Sequence, residues 1–471
     1  KTLPLTIDPP VRLWATYYGG DSLDYTYHCA VDSSDNVYIV GQTISTGNIA
    51  TIGSHTDTLT GNLDAYMAKF NSGGVRLWAT YYGGDGWEGA NACTVDPFDN
   101  VYMVGSTVST NNMATFTAHQ DTFGGGNSDC FIAKFNSSGV RQWGTYYGGE
   151  DDENTASCTT DADGFFYLPG YTESDAGIAS PGAFRTTRAK YKDAFLVKFT
   201  KNGVRCWGTY YGGESLDRGK CCAVDKFKNV YLGGFAESDT GIATAGVHQE
   251  THRDEYDGFL AVFDSSGARK RGTYIGDSLD DQVNFIIPLD DGSLFLAGIT
   301  KSDTNIATAG RFQVNNYGIY DAFIMRFDTA LNRKWGTYYG GSNIDYVYGF
   351  SMSADKERLY ISGYTRSPDS IASAGAFLET YAGGGGDAYL AQFDTTGFRV
   401  WGTYYGGSNM EHMVNCALDS KENIYICGQT ESLSDISSPG SHQEIYGGGD
   451  KDGFLVKFSN DSTEISAGFS F

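Results

Sequence analysis

The string WGTYYGG at residues 335–341 constrains this chain more than any other feature, because the chain keeps returning to it. Close copies stand at 14–20, 78–84, 143–149, 207–213 and 401–407, and a worn copy, RGTYIGD, at 271–277. The period is about 64 residues, and self-similarity at a fixed period marks an architecture of stacked units that cannot bury their faces alone. A chain of 471 residues therefore need not divide into unrelated cores.

Each unit carries four apolar segments. The first ends in CAVD at 29–32 and, after a short polar turn, leads into VYIVGQT at 37–43. A stretch of about 20 residues follows, longer than a tight hairpin loop. It leads to the third segment, copied as DAYMAKF at 64–70 and DAFLVKF at 193–199. A turn such as NSSG at 136–139 then joins the fourth, VRQWGTYYGG at 140–149. These segments are too short, and too rich in aromatic and β-branched residues, for helices. With 62 Gly against 9 Pro, they read as antiparallel strands joined by turns.

Alternation puts Phe195, Val197 and Phe199 on one face and Leu196 and Lys198 on the other. Both faces are largely apolar, so each four-stranded sheet must be covered on both sides. A closed ring of sheets meets that need, and the expected fold is all-β: a seven-bladed β-propeller. The chain ends fit. It opens with a lone fourth strand at 11–20 and closes with the third strand DGFLVKF at 452–458. Pairing the two shuts the ring and removes open edges. The expected layout is a lead-in at 1–10, the propeller at 11–458 and a tail at 459–471.

The whole pattern, WGTYYGG with AVD, NVY, GGGDAF and KF at fixed offsets, resembles the SBBP repeat of bacterial seven-bladed propellers over nearly the full chain. Departures are Arg271 for Trp, Ile275 for the second Tyr, and FFYLPGYT at 165–172. The resemblance implies a secreted or cell-surface bacterial protein, and a chain that is part of a longer surface protein. It implies fold and location more than function.

Several repeated positions are candidates for chemistry. The loop after TYYGG carries an acid in every unit: Asp24, Glu88, Glu153, Asp217, Asp280, Asp345 and Glu411. It leads to the innermost strand, so these carboxylates could ring one mouth of the channel as a cation-attracting or polar-ligand site. The other reading is that each accepts backbone N–H bonds locally. Like charges in close array repel and raise one another's pKa, so local pairing is the more stable arrangement. A second acid opens every third strand: Asp64, Asp129, Asp193, Asp257, Asp321, Asp387 and Asp452. Preceding glycines suggest Asx-type turns. No cofactor is expected, although calcium stays open because carboxylate and carbonyl oxygens suit it. No D-x-D-x-D-G loop is present.

His55, His119, His248 and His442 share one repeat position with Phe184, Phe312 and Phe377. A site shared by His and Phe packs a ring and does not hold a metal. Cys29, Cys93, Cys158, Cys222 and Cys416 share another, with Ile287 and Met352 in the remaining units, which reads as apolar packing. Tyr17 and Tyr18 point to opposite faces, so at least one ring of each pair should pack between blades.

Net charge is −24, which opposes nucleic acid or anionic lipid as partner. No run of about 18 apolar residues could span a membrane as a helix. Catalytic signatures are absent: no G-x-S-x-G, no H-E-x-x-H, no phosphate loop and no sialidase-type box. Differences between units are the better guide to specificity. EDDE at 150–153 gathers negative charge, while RTTRAKYK at 185–192 and DRGKCC at 217–222 gather positive charge; all three read as solvated surface loops or, alternatively, as a polar partner-binding face. The expected role is a non-catalytic binding, adhesion or spacer module with a protein or glycan partner at the cell surface. A lectin-like propeller and a structural subunit assembling through KTLPLTID or EISAGFSF are the alternatives.

Overall fold

A computed structural model describes residues 10–460. The segments 1–9 and 461–471, including the two terminal stretches expected to join a neighbouring chain, lie outside the described residues. Seven antiparallel sheets make a β-propeller, with no helix among the described residues. In blade 1 the strands, from the axis outward, are Asp24–Val31, Val37–Thr43, Asp64–Phe70 and Arg76–Tyr82. Blades 2 to 6 repeat this order. Blade 7 takes three strands from the end of the chain and its outer strand, Val11–Tyr18, from the start. That strand runs antiparallel to Asp452–Ser459, with Val11 opposite Ser459 and Tyr18 opposite Gly453. Closure is as the sequence demands.

The core lies between sheets. Tyr38, Val40 and Met67 of blade 1 pack on Cys93, Met103 and Phe131 of blade 2. Across the closure, Tyr18, Ile39 and Tyr66 pack on Tyr425, Cys427 and Leu455. The recurring heptapeptide is the device that joins neighbours. Its first Tyr ties its own blade: the hydroxyls of Tyr81, Tyr146 and Tyr210 donate to the carbonyls of Ser45, Ser109 and Ser174. Its second Tyr reaches the next blade: Tyr18, Tyr147 and Tyr211 donate to the carbonyls of Ile49, Ile178 and Ile242 at 2.7, 2.8 and 2.8 Å. The Trp caps the next blade's outer turn. Trp78 Nε1 donates to Ser137 O at 3.1 Å, and its ring lies so close to Gly139 that a Cβ there would sit 2.9 Å away. Gly139 also has φ +81°, a region that favours glycine.

The shared His/Phe position packs rings. His55, His119 and Phe377 meet Phe135, Phe199 and Phe458 edge-on, at 5.7, 5.5 and 5.5 Å between centroids. Burial lowers the His55 and His119 imidazoles to about 4, so they are neutral rings at pH 7. The cysteine position is apolar, but its counterparts differ from those expected. Cys29 lies opposite Ile39, Ile286 opposite Leu296, and Phe350 opposite Ile361. Ile286 and Phe350 therefore take the place assigned to Ile287 and Met352. All nine cysteines are free thiols.

Two blades depart from the pattern. At the joint between blades 4 and 5, Arg271 and Ile275 replace the capping Trp and the reaching Tyr. Leu331 occupies the turn position held elsewhere by Gly, at φ +61° and 2% exposed. Its side chain packs with Ile275, Ile306 and Phe327, supplying apolar bulk where the Trp is missing. In blade 3 the inner strand is split into Glu153–Asn154 and Thr159–Thr160. Pro169 on the neighbouring strand has no N–H to offer. The ladder to the inner strand breaks there, while the ladder from Phe166 to Thr172 on the other side runs unbroken.

Candidate functional site

The carboxylates expected at the channel mouth do not form an open ring. Asp24, Glu88, Glu153, Asp217, Asp345 and Glu411 are fully buried, each inside its own blade. Asp24 Oδ2 accepts Gly20 N–H at 2.7 Å and the Ser45 hydroxyl at 2.8 Å, and Oδ1 accepts the Thr43 hydroxyl. Glu88, Glu153, Asp217 and Asp345 repeat the bond to the second Gly of the motif.

In blade 5 the equivalent acid is Asp281, not Asp280. Asp277 stands where the second Gly usually stands, and its N–H donates to Asp281 Oδ2 at 2.9 Å. Asp280 is instead paired locally and largely buried, with Lys301 Nζ at 2.5 Å and the Tyr320 hydroxyl donating to it at 2.8 Å.

The second set of acids closes the same joints from the other side. Asp64, Asp193, Asp257, Asp321 and Asp452 each accept the N–H of a residue in the preceding loop: Thr60, Ala189, Arg253, Tyr317 and Gly447. Asp129 and Asp387 do the same with Gly124 and Ala382. The donors lie four or five residues before each Asp, so each carboxylate ties down the loop that precedes its strand. These acids also meet the first set across the first Gly of the motif: a Cβ on Gly19 would lie 2.5 Å from Asp452 Oδ1 and 2.8 Å from Asp24 Oδ2. Burial pushes Asp24, Asp193 and Asp345 upward to about 6. Asp129, Glu153, Asp217, Asp257, Asp281, Asp321, Asp387 and Asp452 rise to about 7, and Glu411 to about 8. Glu88 rises too. Two carboxyls on one glycine favour holding a proton there, which makes these positions joint chemistry and not a ligand rim. Among the described residues, no group of three or more His, Cys, Asp or Glu side chains is placed to hold a metal.

The axis carries a different kind of site. A cavity of about 560 Å³ is lined from all seven inner strands, within the usual range for small-molecule pockets. Its wall includes Tyr27, His28, Asn91, Asn154, Ala156, Ser157, Lys220, Asn284, Tyr348 and Met413, with Trp87 and Gln42 beside them. Tyr27, Asn91, Lys220, Asn284 and Tyr348 occupy one repeat position. Each is the extra residue of a bulge in its inner strand, as between Thr26 and His28 or between Gly219 and Cys221. A bulge re-aims a side chain, and here five turn toward the axis. Tyr27 stacks on Tyr25 at 5.7 Å. Tyr348 meets His412 at 5.3 Å, whose ring is lowered to about 4 by burial and by Lys451 and Arg366. His28 is lowered to about 4 by burial. Both imidazoles are neutral at pH 7, so Lys220 is the one charged side chain among the lining residues.

The sequence reading missed this wall. The segment 217–222, expected as a charged loop, is part of the inner strand Asp217–Val224. The available signal was variation: the residues between the buried acid and the cysteine position change from unit to unit, while the flanking glycine motif and second strand hold. The basic segment 185–192 does lie outside the strands. Arg188 pairs with Asp175 at 2.9 Å and Lys192 with Glu173 at 2.6 Å, so its charge is spent within the blade.

No protein-family model matches the chain. It is 22% identical over 315 residues to the regulatory protein FlaEY of Caulobacter vibrioides, covering 62% of this chain and 32% of that protein. It is 19% identical to an uncharacterised WD repeat-containing protein of Acanthamoeba polyphaga mimivirus, covering 95% of this chain and 32% of the other. The chain thus spans about a third of the length of these curated relatives. Among solved structures, a Dyadobacter fermentans protein of unknown function aligns over 97% of this chain and all of its own, at 8% identity and a TM-score of 0.44.

Proposed function

We propose that this protein is a non-catalytic binding propeller that takes a small polar ligand or a glycan end in its axial cavity. The observation that carries the reading is the non-repeating wall. A chain that repeats one joint at six of its seven seams lines its axis with amides, aromatic faces and one ammonium, the mixture expected of a pocket with few oriented polar groups. A catalytic reading has less behind it, since the cavity wall offers no carboxylate pair, and the thiol beside its histidine, Cys93 Sγ at 3.6 Å from His28 Nδ1, is buried and held protonated by that burial. The resemblance stated above favours a secreted or cell-surface setting, where a rigid ring would present this cavity to glycans.

Glycan-array and small-molecule screening of the full chain tests the proposal. Ala156, exposed in the interrupted inner strand of blade 3, can be enlarged without repacking a sheet. Ala156→Trp should abolish saturable binding and leave the melting temperature unchanged. Binding that survives this substitution, or silence across the array, overturns the reading.

A further inference from the structure

Charge in the axial cavity runs against the charge of the chain. The protein carries 57 acidic and 33 basic side chains, yet no Asp or Glu is among the residues lining the cavity, and Lys220 is. Lys220 makes no ion pair or hydrogen bond among the described residues; its recorded contact is the Phe235 ring, 5.8 Å from Nζ. Arg218, two positions back on the same strand, stacks over Tyr171 at 4.5 Å. Its buried Nε also has no partner. Burial and Arg218 both press the Lys220 ammonium below its ordinary pKa range, so an anion delivered there relieves a cost already present in the fold.

Around this cation the wall is built for hydroxyls. Asn284 Oδ1 is buried and unpartnered; Gln282 stands on the same inner strand, Ser157 in the break of blade 3's inner strand, and Asn91 on the inner strand of blade 2, where its amide donates to Thr155 O at 2.7 Å. Tyr27 and Tyr348 add aromatic faces. We propose that the cavity takes a carboxylated saccharide, its carboxylate on Lys220, its hydroxyls on Asn284 and the neighbouring amides, and its apolar face on Tyr27 or Tyr348. This rests on the axial-binding reading above. A phosphate is the poorer match: the wall offers one lysine as a point charge and no arginine fork, whereas tight phosphate sites use bidentate or multiple donors.

Calorimetry on the full chain decides, with D-glucuronate, D-galacturonate, D-glucose, D-galactose, trigalacturonate and inorganic phosphate as probes. The uronates should bind at least tenfold more tightly than the neutral sugars, and more weakly as salt rises. Lys220→Met should erase the preference and Lys220→Arg keep part of it, each with native near-ultraviolet circular dichroism. Binding of trigalacturonate alone would assign a polysaccharide end as the source. Binding of the monosaccharide acids alone would assign a free sugar acid; both results support the proposal. Equal binding of glucose and glucuronate, a preference that survives Lys220→Met, or phosphate binding as well as the uronates overturns the carboxylate assignment and leaves axial binding standing. Failure of every sugar, acidic and neutral, removes both.

Discussion

Tyr82 and Asn91 stand close together in sequence and belong to two regions under opposite constraint. Tyr82 has a counterpart in Tyr18, Tyr147, Tyr211, Tyr339 and Tyr405, each reaching a carbonyl of the next blade. Asn91 has Tyr27, Lys220, Asn284 and Tyr348 at its position, and these share only a direction, toward the axis. The joint solves one packing problem, so one answer serves at six of the seven joints. The axial residues meet neighbouring blades differently at each position, Asn91 donating to Thr155 O and Tyr348 meeting the His412 ring, so no single packing rule dictates them and recognition can. In this molecule repetition marks what holds the ring together, and its failure marks where the proposed ligand would be read.

The strongest way to stress the joints is pH, because every joint carries the same buried acids. A carboxyl raised in the folded state contributes stability fully present below its unfolded range, about 4, and lost as pH climbs through its folded value. With folded values of about 6 to 8 at Asp24, Asp217 and Glu411, the melting temperature should fall as pH rises from about 4 toward 8. The acids held low by their partners act in reverse. Asp32, bonded by Asn36 and by Lys69 at 3.0 Å, and Asp419, bonded by Asn423 and by Lys457 at 2.9 Å, withdraw support in stronger acid. Calorimetric scans should therefore show a maximum in mild acid. A melting temperature that climbs steadily to pH 8 would show that the joint carboxyls hold no proton.

Single joints come next. Trp401 is 2% exposed among residues of blades 6 and 7, and Trp401→Ala should cost about 3–5 kcal/mol in denaturant unfolding. Gly139→Ala should cost about 1–3 kcal/mol, from the Trp78 ring it would strike and from its positive φ. Tyr82→Phe leaves the buried Met113 carbonyl without the hydroxyl that serves it and should cost about 1–3 kcal/mol. None of the three should change ligand affinity, whereas Ala156→Trp should do the converse. A joint variant that alters affinity, or an axial variant that alters stability, would break the separation of the two regions.

The ring was legible because its evidence is redundant. Seven copies of one strand, and a spare outer strand at the start for a missing one at the end, leave little choice of architecture. Ring packing at the His/Phe position could be read from the exchange itself. What escaped reading lay where the repeat is worn or silent. Asp280 was chosen over Asp281 because the worn copy at 271–277 hides the count from the second glycine. The acidic ring looked like a rim because sequence places a residue on a strand but does not say which way the edge of a blade turns it. Lys220 looked like loop charge because a bulge breaks the alternation by which its strand would have been recognised.

The joint between blades 4 and 5 offers the finest test, since it tells a tolerated gap from a repacked contact. Ile275 lacks the hydroxyl that six other joints use, and the Ile306 carbonyl that would receive it already accepts Arg333 Nη1 at 3.0 Å. A carbonyl has a second lone pair, so Ile275→Tyr can add a bond, worth about 0.5–1.5 kcal/mol at best. Against it stands the bulk of Leu331, packed in the same cluster as Ile275, which a larger ring would press. The two effects oppose at similar size, so the single substitution should move stability by less than about 1 kcal/mol. Combining it with Leu331→Gly and Arg271→Trp rebuilds the joint used elsewhere, and the triple variant should be more stable than the sum of its single changes by denaturant unfolding. Simple additivity would mean that the three departures are independent accidents and not one alternative way of closing the same seam.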